Sequence, residues 1–201
     1  MKTLYNNIKI NYVFTFAKNM NLTQGIWMLY LASRGLSLFE IGTLEAIFHV
    51  TSFLMETPTG ALADLFGRKM SRITGIFFSI ASSILMIVSN CYILFALSFV
   101  ISALSYNFES GAGEALIFDS LKAEGRENRF IKITGNNEVI YQATQIISLA
   151  VGGVIGNSEF LYAYYIAIVL SVLSLFVAFL FKEPPTGEQT EQKNKKALPN
   201  P

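Results

Sequence analysis

Stretches of roughly twenty residues with almost no charge follow one another along this chain, and that succession limits the fold more than any motif does. A helix rising about 1.5 Å per residue needs about 20 apolar residues to cross a hydrocarbon core of about 30 Å. Six such stretches can be placed, over 10–33, 38–62, 73–89, 92–118, 133–155 and 160–181. They use up most of the 201 residues, which is why charged residues make up only 14% of the chain; a soluble domain carries about a quarter. The sequence predicts an all-α membrane protein, a six-transmembrane-helix bundle over residues 1–181. Residues 182–201, polar and proline-containing, are expected to form a disordered cytoplasmic tail.

The first stretch contains Asn11, Lys18, Asn19 and Asn21 and has no clean apolar centre followed by a small-residue cleavage site. It reads as a retained first helix with a polar face, not as a signal peptide. With six crossings both termini lie on one side. On that side fall Lys2 and Lys9, the turn with Arg68, Lys69 and Arg72, the loop with Lys122, Arg126, Arg129 and Lys132, and the lysines of the tail. That is thirteen of the fifteen lysines and arginines, leaving Lys18 inside a helix and Arg34 on the other side. The positive-inside rule makes the crowded side cytoplasmic. The expected location is the cell membrane, plasma or bacterial inner membrane, with both termini cytoplasmic.

A net charge of +1 gives no field for nucleic acid. The single cysteine, Cys91, can form no internal disulfide and stands in no metal-ligand cluster. There is no nucleophile–base pairing, phosphate-binding glycine loop or His-Glu-x-x-His. The chain is therefore not expected to be an enzyme, and no cofactor or metal is implied.

Ionisable groups inside a bilayer are costly and tend to face a bundle interior or a watery cavity. They are unevenly shared here: Lys18 in the first helix, Glu45, His49 and Glu56 in the second, Glu109 and Glu114 in the fourth and Glu138 in the fifth. The third and sixth helices have none within the stretches above, so helices 1, 2, 4 and 5 are expected to surround something polar. Helical spacing sharpens this. Glu45, His49, Ser52 and Glu56 share one face, as do Asn11, Thr15 and Lys18, and Glu138, Gln142 and Gln145. In the fourth helix Ser98, Ser102, Ser105 and Glu109 share one face, while Asn107 and Glu114 share another. The candidate substrate or proton path is Lys18, Glu45, His49, Glu56, Asn107, Glu109, Glu114 and Glu138. The plainer role for such stripes is interhelical hydrogen bonding. The small-residue rows Ser148-Gly152-Gly156 and Gly111-Ala112-Gly113 are read as packing surfaces.

Between the second and third helices runs Gly60-Ala61-Leu62-Ala63-Asp64-Leu65-Phe66-Gly67-Arg68-Lys69. Gly67 allows a tight turn, and Asp64 is placed to pair with Arg68. This loop resembles the signature of the major facilitator superfamily, in which Gly-x-x-x-Asp-Arg-x-Gly-Arg-Arg/Lys joins helices 2 and 3. Gly60, Asp64, Gly67, Arg68 and Lys69 match, and Leu65 stands where the family usually has Arg. The preceding Glu56-Thr57-Pro58-Thr59 is similar to stretches found before this loop in bacterial members. The resemblance covers the six helices, so the chain looks like the N-terminal half of such a transporter. It implies a conformational latch of Gly60, Asp64, Gly67, Arg68, Lys69 and Asp119, the last pairing with Arg68 from the end of helix 4. Gly111 and Gly113 match a family Gly-x-Gly, but Asn107 stands at the arginine position linked to proton transfer. Gly152-Gly153 is present without the Gly-Pro of the antiporters, Ser148-Leu149 standing there.

The expected function is transport of a small solute by alternating access, as a secondary transporter or half-transporter, with drug or metabolite efflux as one form. The alternative is a truncated, non-transporting membrane protein or an accessory partner of a full transporter. The partners expected are the lipid bilayer, a small-molecule substrate, and a second six-helix half or a second copy of the chain.

Overall fold

The computed structural model describes residues 4–156 and 159–185. The described residues form seven α-helices, joined by turns and one short 3-10 segment: α1 Asn6–Asn19, α2 Trp27–Ser33, α3 Leu38–Phe66, α4 Arg68–Val88, α5 Tyr92–Lys122, α6 Phe130–Gly156 and α7 Phe160–Phe179. Five of them, α3 to α7, are long and apolar enough to cross a membrane. This is the all-α bundle the hydropathy predicts, and no strand occurs among the described residues.

The single helix expected over 10–33 is replaced by two shorter ones, α1 and α2, with an irregular segment at 20–26 between them. The asparagines explain the break. Asn21 Oδ1 accepts from the backbone N–H of Thr23 at 3.2 Å and from its hydroxyl at 2.7 Å. That local turn competes with the helical hydrogen-bond ladder. Asn19 Nδ2 donates to the Thr15 carbonyl at 2.8 Å and closes the last turn of α1. The two halves reach opposite ends of the bundle. Ile8 and Phe14 of α1 pack with Ile76, Leu116, Leu121, Ala178 and Phe181. Tyr30 and Leu31 of α2 pack with Ile41, Leu44, Met86, Phe95 and Tyr164. Freed backbone at membrane depth must be covered by protein. Here the Ser148 hydroxyl donates to the Asn19 carbonyl at 3.2 Å. Gly152 presses on Leu22 and Gly156 on Ile26. The small-residue row of α6 is the bed on which the broken segment lies.

The charged loop expected between the second and third helices shrinks to one residue, Gly67, with φ +97°. Asp64 belongs to the last turn of α3, while Arg68, Lys69 and Arg72 belong to α4. The helix can start this early because the Glu183 carboxylate accepts from the N–H groups of Arg68 at 2.6 Å and Lys69 at 2.8 Å. Those are two of the four donors a helix start leaves unpaired, and a negative charge suits that end of the helix. Order was expected to end at Phe181, yet Lys182 and Glu183 are also held. Asn7 exchanges hydrogen bonds with the Lys182 backbone at 2.8 and 2.9 Å, and Lys69 Nζ donates to the Phe179 carbonyl at 2.8 Å. The rest of the expected tail, 186–201, and Asn157 and Ser158 lie outside the described residues.

The tightest pair is α4 against α5. Small residues let the backbones approach, and serine hydroxyls bridge them. Ser71 donates to the Phe108 carbonyl at 2.5 Å, Ser105 to Gly75 at 2.7 Å and Ser82 to Ser98 at 2.9 Å. This is the glue expected of small polar residues where water cannot serve. Pairing α4 with α5 fixes which side of each helix is left to face α1 and α6.

Candidate functional site

One charged cluster sits where α1, α4 and α5 meet. Glu109 of α5 is flanked by two cations: Lys18 Nζ reaches its Oε2, and Arg72 Nη2 donates to Oε1 at 2.9 Å. Arg72 is 2% exposed. Its guanidinium lies against two rings that themselves meet edge to face, 4.1 Å from the centre of Phe14 and 4.7 Å from that of Phe181, an arrangement favourable for a desolvated cation. Its Nη1 donates to Asn11 Oδ1 at 2.7 Å. Asn11 Nδ2 and the Thr15 hydroxyl both donate to Asn137 Oδ1, at 2.8 and 2.7 Å. The network thus runs from α4 and α5 through α1 to α6. Gly113 sits one turn from Glu109 and leaves room for the pair, since a Cβ there would lie 3.2 Å from Glu109 Oε1.

This cluster forms part of the wall of a cavity of about 580 Å³. Of the candidate path residues Lys18, Glu109, Glu114 and Glu138 line it, together with Arg72, and α3 contributes only Phe48. Glu138 accepts from Gln142 at 2.7 Å. Asn107 and Glu56 line a second cavity of about 520 Å³, which lies between α3 and α5. Asn107 is committed to Ser52: it accepts from the hydroxyl at 2.6 Å and donates to the carbonyl at 2.6 Å. The two faces of α5 that the sequence left open are thereby assigned different tasks, since Ser102, Ser105 and Glu109 face the larger cavity and Asn107 ties α5 to α3. Glu114 lines the larger cavity too. Glu45 and His49 pair with each other at 3.3 Å on the exposed side of α3 and line neither cavity.

At the end where α1 begins, Arg68 Nη2 is 2.7 Å from Asp64 Oδ1, and its Nε is 4.0 Å from Asp119 Oδ2. Gly67 makes the turn. A Cβ there would lie 2.8 Å from the Glu183 carboxylate and would be forced into a positive φ. Gly60 opens on the second cavity with nothing near its missing side chain.

The sequence model of the Major Facilitator Superfamily matches residues 10–200. The chain belongs to this superfamily. It is 25% identical over 171 residues to an uncharacterized MFS-type transporter, YxaM, of Bacillus subtilis, covering 85% of this chain and 42% of that protein. It is 29% identical over 169 residues to an uncharacterized transporter of Buchnera aphidicola, covering 84% of this chain and 41% of the relative. Similarity extends to the quinolone resistance protein NorA of Staphylococcus aureus, 22% over 178 residues, 89% of this chain and 45% of NorA. The chain spans less than half the length of each of these relatives. It is thus a multi-pass membrane chain of a transporter family.

Within this superfamily half, two charged residues escape the sequence reading. Hydropathy places Arg72 in the basic turn and leaves the third helix without ionisable groups. The structure puts Arg72 one helical turn inside α4 and buries it. Glu183 was assigned to the tail, yet it caps α4. The period of the third helix carries a signal for the first: Arg72, Gly75 and Ser79 recur at i, i+3 and i+7, a small and polar stripe that reads as inward.

Proposed function

We propose that this chain forms one half of a secondary transporter that moves a small solute by alternating access, with the larger cavity as its share of the path. The observation that carries this is the network of Lys18, Arg72, Glu109 and Asn137, a polar cluster contributed by four helices and facing a cavity. Structural glue would need no cavity. In this reading a second six-helix unit stands on the side where α3 supplies only Phe48, and binding takes place near the bilayer midplane between the units. The second unit is another copy of the chain or another six-helix segment. Likeness to NorA supports efflux of a drug or metabolite as the form of transport. The Lys and Arg distribution supports a cytoplasmic position for the end bearing Gly67.

The test is the mass of the complex extracted in native lipid. Each chain weighs 22.3 kDa. Two six-helix units together are expected; a stable single chain contradicts the half-transporter and leaves the accessory-protein reading.

Gly60, Asp64, Gly67, Arg68, Lys69 and Asp119 act as a latch in this proposal, and Glu183 joins them. Arg68→Ala removes both carboxylate contacts, and Glu183→Gln removes the charge capping α4. Each is expected to lower flux up to several-fold while membrane insertion stays normal, because a partly exposed charge contact is worth about 0.2–1 kcal/mol. Flux in vesicles at matched protein levels checks this, and unchanged flux in both variants removes the latch.

A further inference from the structure

The charges around the larger cavity do not cancel locally. On one wall two cations, Lys18 and Arg72, share a single carboxylate, Glu109. That wall carries one positive charge in excess. Arg72 is sealed by Phe14 and Phe181, so Lys18, with its side chain 28% exposed, is the cation within reach of a solute. Elsewhere on the lining, Glu114 and Glu138 have no cation within 4.0 Å among the described residues. Tyr106 and Tyr141 line the same cavity, and aromatic faces attract ammonium groups. Glu114 is five residues beyond Glu109 on one helix, about 7–8 Å along its axis. Glu114 therefore sits more than one helical turn along α5 from the residue that holds Lys18, on the lining of the same cavity.

The geometry points to a solute that is itself a zwitterion with well-separated charges, its carboxylate directed to Lys18 and its ammonium to Glu114 and Glu138. This rests on the reading of the cavity as a solute path and adds the substrate class. A purely cationic solute leaves the Lys18 wall unmatched, and a purely anionic one leaves the two glutamates unmatched. An α-amino acid with a neutral side chain carries both charges on one carbon and cannot reach both walls.

The experiment uses equilibrium binding to the complex extracted in native lipid, this chain together with its second six-helix unit. The probe is 4-(2-aminoethyl)benzoic acid, whose charges sit at opposite ends of one ring. The comparators are its methyl ester (cation only), its N-acetyl derivative (anion only) and phenylalanine, an isomer with adjacent charges. The probe is expected to bind at least about tenfold more tightly than each comparator, the weight of one partly desolvated ion contact. Lys18→Gln is expected to bring the probe down to the ester's affinity while leaving the ester unchanged, and Glu114→Gln to do the same with respect to the N-acetyl form. An ester or N-acetyl form that binds as tightly as the probe overturns the zwitterion assignment and leaves the solute path standing. Phenylalanine binding as tightly as the probe overturns the charge separation. Binding of none of the four removes the cavity as a solute site altogether.

Discussion

Glu109→Gln is expected to destabilise the bundle on the order of 3 kcal/mol. Both oxygens of Glu109 are engaged by cations, and Arg72 is almost wholly buried. Gln at this position can still hydrogen-bond but leaves two neighbouring positive charges without a counter-ion. Removing one partner of a buried ion pair costs about 3–5 kcal/mol in soluble proteins, and partners retained in the membrane-embedded unfolded state bring that down. The exposed pair Glu45–His49 makes a control within the same chain. Its side chains are 44% and 69% exposed, so Glu45→Gln is expected to change stability by about 0.5 kcal/mol or less. Unfolding midpoints in mixed detergent compare the two. Equal effects would mean that Glu109 is not the keystone of the cluster.

Gly152→Ala is expected to be the most disruptive single-methyl change in the molecule. A Cβ at Gly152 would lie 2.2 Å from the Leu22 carbonyl oxygen. That neighbour is backbone, so no side chain can swing away, and α6 must separate from the segment between α1 and α2. The loss is about 2–3 kcal/mol, at the upper part of the range for overpacking. Gly153 is the control, because nothing lies within 4 Å of a Cβ there. Gly153→Ala is expected to be neutral or slightly stabilising, as Ala favours a helix over Gly by about 1 kcal/mol. Thermal denaturation of the two alanine variants in one detergent separates them, and equal midpoints would contradict the close contact.

The two variants also show how far sequence reasoning reaches. The five membrane-length helices were legible because hydropathy accumulates over twenty residues and tolerates errors of a few positions. The inward position of Glu109 was legible from its helical stripe with Ser98, Ser102 and Ser105. The partner that completes its cluster was not. Arg72 lies four residues after Arg68 and three after Lys69 in a basic run, and composition alone assigns such a run to the cytoplasmic side. Only the cap provided by Glu183, more than a hundred residues away, starts α4 early enough to carry Arg72 inside. The break after Asn19 was hidden for a similar reason. Asn19 and Asn21 were read as a polar face, while the turn that Asn21 forms with Thr23 and the bed of Ser148, Gly152 and Gly156 that receives it are separated by about 130 residues of sequence. Local periodicity fixed the elements, and contacts distant in sequence decided where they stop. Glu45 and His49 mark the opposite limit: the stripe they share with Ser52 and Glu56 is real, but only the latter two line a cavity.

Alternating access can be tested most directly at Ser110, which lines both cavities. The variant is Ser110→Cys in a Cys91→Ser background, because Cys91 is itself exposed. Membrane vesicles of each orientation are treated with a membrane-impermeant thiol reagent. The account predicts labelling from both aqueous sides, each protected when the chain is cross-linked in one state. Labelling from neither side, or from one side only under every condition, would contradict the claim that this cavity is a solute path opened in turn to the two faces of the membrane.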